Sequence, residues 1–377
     1  MTVQTSVPLL DLKLQYETLR AEVEPMLHEI CDSQYFALGP KVVELENEIS
    51  AYVGAKNAIG CASGSDALLL ALMALDVQPG DEVICPSFTF FATAGAIRRI
   101  GAVPVWADID PVTYNITSDT IAEAATNCTR LKAIMPVHLY GQTVDMDSVL
   151  DTALSLGVPV IEDAAQAIGS RDAAGAMAGS RGTIGCFSFY PTKNLGGFGD
   201  GGMITTNDDA LAERMTKLRV HGGERRYYHS EVGINSRLDA LQAGVLLIKL
   251  QYLEKWHACR AKNAKLYNDI FTAAGSIGVV APQAPETPAR HIWNQFILRV
   301  KDGKRDALRE HLTEQGIGSD IYYPVPLHMQ ECFADLGGLP MLETERAALE
   351  TVALPIFPEL ATEQVEHVAN TIVSFLK

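Results

Sequence analysis

The chain has 377 residues, 47% of them hydrophobic, enough for a large core and for two domains of unequal size. Its 46 acidic and 30 basic residues give a formal charge of −16, which argues against nucleic acid or an anionic membrane as partner and leaves any phosphate-bearing ligand to a local site. Seven cysteines, an odd number with no C-x-x-C pair, read as small buried hydrophobes in a reducing cytoplasm, and no metal site is expected.

In chain order, residues 1–16 reach Asp11 and Lys13 before an apolar run of leader length builds up, and the run 67–75 stops at Asp76, so neither export nor a membrane span is expected. Helical spacing over 14–33 and 42–52 predicts two leading helices. Short apolar strands then alternate with helices: strands 58–61, 82–85, 103–106, 131–137 and 158–161, helices 66–75, 91–100, 119–125 and 146–156. Strands apolar throughout predict an α/β fold, a mostly parallel sheet covered by helices, with ligands at the strands' carboxyl ends. The beat weakens through the glycine-rich 169–202 and resumes with strand 203–206 and helix 208–220. A charged, tyrosine-rich loop, 221–236, leads to a long helical stretch, 238–271. After a proline-rich connector, 282–288, come strand 292–300, helix 305–315, strand 318–323 and two further helices, a smaller α+β domain. The domains are expected at 1–250, binding the cofactor, and 251–377.

The chemistry concentrates at Ser188-Phe-Tyr-Pro-Thr-Lys193, followed by five glycines between Gly196 and Gly202. A lysine is a covalent nucleophile only when its amine is uncharged and held still, and glycines let the backbone fold around it; a surface lysine before a hairpin is the bland alternative. Ser63-Gly64-Ser65-Asp66, between a strand and a helix, fits a phosphate cradle or a simple helix cap. Asp163, closing an apolar strand, fits a cap, a metal ligand or the partner of a cationic ring nitrogen. The run Phe88-Thr-Phe90-Phe91 offers a ring to stack on a flat ligand, or core packing. One flat, cationic, phosphate-bearing ligand that takes a lysine covalently satisfies all four: pyridoxal 5′-phosphate. No P-loop or dinucleotide fingerprint competes for the glycines.

These stretches, with Val7-Pro-Leu-Leu-Asp-Leu-Lys13, Phe36-Ala-Leu-Gly-Pro40, Pro136-Val-His-Leu-Tyr-Gly141, Ile161-Glu-Asp-Ala-Ala-Gln166, Asn235-Ser-Arg-Leu-Asp239 and Tyr323-Pro-Val-Pro-Leu-His328, occur in one order along nearly the whole chain. The chain resembles the DegT/DnrJ/EryC1/StrS family of nucleotide-sugar aminotransferases, pyridoxal phosphate enzymes of fold type I, the aspartate-aminotransferase-like fold. The resemblance implies that Lys193 forms the Schiff base, Asp163 partners the pyridine nitrogen and Gln166 meets the phenolic oxygen. Gly64, Ser65 and Ser188 would bind the phosphate and Phe90 would stack on the ring. Asn235 would reach the phosphate from a neighbouring subunit, implying a homodimer with shared sites, and Arg237, Tyr322 and His328 are the candidates for substrate contacts. Tyr322 departs from the histidine many relatives carry there, which leaves the sugar open. His138, His221 and His328 are left out of the catalytic assignment. The implied reaction takes an amino group from glutamate, leaving 2-oxoglutarate, to a nucleotide-linked keto-sugar, with C3 ahead of C4, for amino-sugar biosynthesis. A cyclitol ketone as substrate, or a non-catalytic sugar-nucleotide sensor, are the alternatives.

Overall fold

Helix α1 (Leu12–Ser33) starts where Asp11 accepts the Lys13 N–H at 2.9 Å, and it buries Leu19, Val23, Met26 and Ile30 at helical spacing. Helix α2 (Pro40–Val53) has proline in its first turn and stops at Gly54, φ 75°. The structure is a computed structural model that describes residues 6–337 and 339–377; residues 1–5, the start of the stretch read for a leader, lie outside the described residues.

Strands and helices then alternate as β1 (Asn57–Cys61), α3 (Gly64–Ala74), β2 (Glu82–Pro86), α4 (Ala92–Arg99), β3 (Val103–Ala107), α5 (Ser118–Ala125), β4 (Leu131–Ile134), α6 (Met146–Leu156) and β5 (Ile161–Asp163). β6 (Ile184–Ser188), β7 (Gly202–Thr206) and α7 (Asp209–Leu218) follow. The strands line up as β3-β2-β4-β5-β6-β7-β1, with β4 joined to β5 by the parallel bridges Ile134–Val160 and Val137–Asp163. β7 runs against both neighbours and the rest are parallel, so β1, β2, β5 and β6 all end at one edge. Successive residues feed opposite faces: Cys186 and Ile204 pack under α3, α4 and α7, whereas Phe187 and Met203 pack under α1, α2 and α8 (Ala240–Leu250). This two-sided burial is why the strands are apolar throughout.

Several elements differ from the sequence reading. β6 lies inside the glycine-rich stretch, and its central place between β5 and β7 explains a strand that sequence punctuation hid. The loop 221–236 carries a short hairpin, β8 (Gly223–Arg225) and β9 (Tyr228–His229). The long helical stretch breaks after Leu250, and α9 (Leu253–Ala274) begins at the first residues assigned to the smaller domain. Segment 318–323 is no strand, because Gly318 bonds to Val7 while Asp320 pairs with Ala353, two partners that cannot form one ladder. The smaller sheet is instead antiparallel, β10 (Val279–Val280), β11 (Phe296–Val300) and, after α10 (Arg305–Glu314) and α11 (Leu342–Glu350), β12 (Thr351–Leu354). It packs with α9, α10 and α12 (Thr362–Leu376) around Tyr267, Phe296 and Phe357. Cys61, Cys85 and Cys186 are buried, whereas Cys31 and Cys332 are exposed, which corrects the reading of all seven as core. Among the described residues no helix is long and apolar enough to cross a membrane.

Candidate active site

The carboxyl edge of the sheet gathers four of the predicted stretches. Strand β1 leads through Ser63 into α3, and Ser63 Oγ accepts the Asp66 N–H at 3.1 Å. The cap reading therefore holds for Ser63, while Gly64 and Ser65 occupy the first turn, whose N–H groups have no acceptor within a helix. Gly64 is required by packing: a Cβ there would lie 2.6 Å from Ser188 Cβ and 3.1 Å from its Oγ. The absence of that Cβ sets the Ser188 hydroxyl beside the positive end of α3, an arrangement of donors suited to a phosphate.

β5 carries Glu162 and Asp163 as successive residues, which strand alternation sends to opposite faces. Glu162 accepts from His138 Nε2 at 2.8 Å, both side chains fully buried, and from the N–H groups of Gly179 at 2.7 Å and Arg181 at 2.9 Å. His138 Nδ1 accepts the Val144 N–H at 3.2 Å, which leaves the proton on Nε2. Asp163 turns the other way, where Thr93 Oγ1 on α4 donates to Oδ2 at 2.8 Å and the Ala165 N–H to Oδ1 at 3.2 Å. Burial holds the Asp163 carboxyl above its ordinary range, opposed by these two donors and by the charge of Lys193. A buried carboxylate in that state is short of a cationic partner.

Lys193 lies in a turn closed by its own N–H to Tyr190 O at 2.9 Å, and its amine makes no hydrogen bond or ion pair among the described residues. Burial pushes that amine down to about 8, against the pull of Asp163. Lys193 and Asp163 act on each other's charge, and Lys193 is half-buried rather than fully exposed. Of the phenylalanines, Phe88 is fully buried and Phe91 stacks on Phe333 at 5.7 Å, so these are packing residues; Phe90 is 56% exposed, 6.4 Å from the Tyr323 ring. Gln166 accepts the Tyr140 N–H at 2.7 Å and donates to Tyr323 Oη at 2.9 Å, leaving one amide N–H. Thr93 holds Asp163 and Tyr323 holds Gln166, two positions that the sequence reading does not single out. Thr93 carries no local signal, and Tyr323 stood only inside a matched stretch.

The loop before α8 alternates, with Ser236 and Leu238 buried and Asn235 and Arg237 exposed. Ser236 anchors it, accepting the Ala62 N–H at 3.1 Å. Asn235 and Arg237 neither cap α8 nor pair with Asp239, and their side-chain donors have no partner among the described residues. Tyr322 is half-buried. His328 has both ring nitrogens engaged, Nδ1 with Ser87 Oγ at 2.6 Å and Nε2 with Glu345 at 3.3 Å, an anchorage that leaves its predicted substrate contact no free ring atom.

A half-buried lysine and an anchored carboxylate at the carboxyl edge of this sheet, beside a glycine-dependent anion cradle, are suited to pyridoxal 5′-phosphate, and the fold is that of a fold type I enzyme. Residues 17–373 match the DegT/DnrJ/EryC1/StrS aminotransferase family, and the chain belongs to it; the protein is a pyridoxal phosphate-dependent aminotransferase. It is 49% identical over 99% of both chains to a Geobacillus stearothermophilus "pleiotropic regulatory protein". It is 42% identical to a UDP-N-acetyl-3-dehydro-alpha-D-glucosamine 3-aminotransferase of Acidithiobacillus ferrooxidans, over 99% of this chain and 98% of that one. A solved structure of NtdA from Bacillus subtilis with bound cofactor PMP superposes with a TM-score of 0.91 at 31% identity, covering 98% of this chain and 85% of that one.

Proposed function

We propose that the enzyme moves an amino group from glutamate to C3 of a nucleotide-linked keto-sugar in the cytoplasm, in sites shared between the subunits of a homodimer. The observation that carries this reading is the pair Lys193 and Asp163, an amine brought toward neutrality by burial and a buried carboxylate in want of a cation. Pyridoxal 5′-phosphate, when bound, supplies the electron sink that lets the donor's α-proton leave.

Each residue then has a task. Lys193 would supply the amine that holds the cofactor and, once displaced by the donor, its Nζ would take the proton that leaves the donor's α-carbon and pass it on. Asp163 keeps the ring nitrogen charged, and Thr93 and the Ala165 N–H hold its carboxylate in place before the charge develops. The N–H groups of Gly64 and Ser65 and the hydroxyl of Ser188 take the phosphate. Phe90 covers one ring face, and the remaining Gln166 N–H meets the phenolic oxygen.

Asn235 and Arg237, whose side chains find no partner among the described residues, reach the partner subunit's site, Asn235 to the phosphate and Arg237 to the substrate. Tyr322 borders the sugar. C3 is supported by the name of the Acidithiobacillus relative, a 3-aminotransferase of a UDP-linked 3-dehydro sugar. The test is the first half-reaction alone. Holoenzyme mixed with glutamate and no sugar should release one 2-oxoglutarate per subunit, and Lys193→Ala should release none; release by the variant at the wild-type rate removes Lys193 from the mechanism.

A further inference from the structure

The turn that carries Lys193 is held from α8, by side chains two turns apart on one face. Gln242 Oε1 accepts the Phe198 N–H at 2.7 Å, and Lys249 Nζ donates to Gly196 O at 2.6 Å. Gly196 closes the turn so tightly that a Cβ there would lie 2.4 Å from Pro191 O, and this carbonyl is three residues from Lys193. Upstream the turn has its own anchors, Asn194 donating to Ile292 O at 3.0 Å and accepting from Asn294 at 2.8 Å. Downstream, the Gly196 carbonyl is fixed by Lys249.

Lys249 is 3% exposed, with its ammonium 5.0 Å from the centre of the Phe198 ring. Burial pushes its amine down to about 8, opposed by Glu359. Placing such a group inside the protein is costly, although its position in the last turn of α8 offsets part of that. An apolar side chain of the same length fills the space without the cost, so what the lysine adds is the donated hydrogen bond.

We propose that Lys249 is a positioning residue, fixing the Gly196 carbonyl so that the neighbouring turn presents the Lys193 amine to the cofactor's aldehyde. This rests on Lys193 being the amine that holds the cofactor. The test reads covalent capture by apo-protein. Pyridoxal 5′-phosphate is added, the reaction is quenched with borohydride at set times, and the secondary amine on each lysine is quantified by peptide mass. The lysine nitrogen bonds to the aldehyde carbon, the aldehyde oxygen leaves as water, and hydride comes from borohydride.

Lys249→Met should slow labelling of Lys193 by about tenfold, the lower worth of a hydrogen bond from a charged donor. Lys249→Arg, which keeps a charged donor, should recover most of that rate. Melting of each apo-protein checks folding, and if Lys249→Met does not fold the comparison is made with Lys249→Gln, expected to be slowed in the same sense. Capture by a folded Lys249→Met or Lys249→Gln at the wild-type rate overturns the proposal while leaving Lys193 in its role. So does an equal slowing by Met and Arg, which would make packing the cause. Wild-type label on another lysine overturns both readings.

Discussion

Two neighbouring buried carboxylates end on opposite sides of the ordinary carboxylate range. Burial pushes Glu162 up, but His138 and the N–H groups of Gly182 and Gly179 outweigh it and leave the pKa below the ordinary range. Asp163 has one hydroxyl and one N–H, and burial wins. One face of β5 is therefore fully satisfied by the protein and the other only in part. Asp163→Asn keeps the shape and removes the charge, so turnover should fall by roughly a hundred- to a thousandfold, about 3–4 kcal/mol of transition-state stabilisation, with cofactor still bound. Full activity in a loaded variant would return Asp163 to structure.

Lys193 makes a separate prediction. Competitive labelling of the apo-protein against pH should titrate this lysine with a midpoint near 8, where an ordinary lysine sits at 10.5. The folded state then binds fewer protons than the unfolded chain between those values, so apo-protein stability should rise with pH across that window, and Lys193→Met should reduce the rise by its own share, leaving that of Lys249. A midpoint above 10 would mean that the amine lies in water.

Among the elements, α3 and β6 make the phosphate cradle by direct contact. Gly64→Ala places a methyl 2.6 Å from Ser188 Cβ and should force the helix terminus away from the strand, raising the Kd for pyridoxal 5′-phosphate by about tenfold or more in titrations of apo-protein. Unchanged affinity would place the phosphate elsewhere. This element scale also shows why only part of the molecule was legible in sequence. Lys193, Asp163 and Gly64 stand at strand ends marked by apolar runs and glycines, and these signals are local. β6 was hidden because its five residues lie among glycines, and β12 because its four follow a helix with no turn residue between. The break between α8 and α9 at Gln251 and Tyr252 has neither glycine nor proline to announce it. Thr93, Tyr323 and Lys249 gain their roles from partners 70, 157 and 53 residues away, contacts that only the packed fold creates.

For the whole molecule, exposed Asn235 and Arg237 are the feature that one chain leaves unexplained. If each subunit lends them to its partner, a Lys193→Ala homodimer and an Asn235→Ala/Arg237→Ala homodimer should both be nearly inactive. Mixing and re-annealing them should restore one complete site per mixed dimer, with activity toward about half of wild type. Mixed dimers that form, as tagged co-purification would show, yet stay inactive would put both residues in the site of their own Lys193.

Transfer to the sugar is tested by following the nitrogen itself. Holoenzyme is given nitrogen-15 glutamate and a panel of keto-sugar nucleotides, and the products are read by mass and by carbon–nitrogen coupling in NMR. One labelled nitrogen should appear bonded to C3 of a sugar nucleotide, with 2-oxoglutarate formed in equal amount and neither product made by Lys193→Ala. Label on C4, or label that never leaves glutamate in the presence of any keto-sugar nucleotide, would contradict transfer to C3.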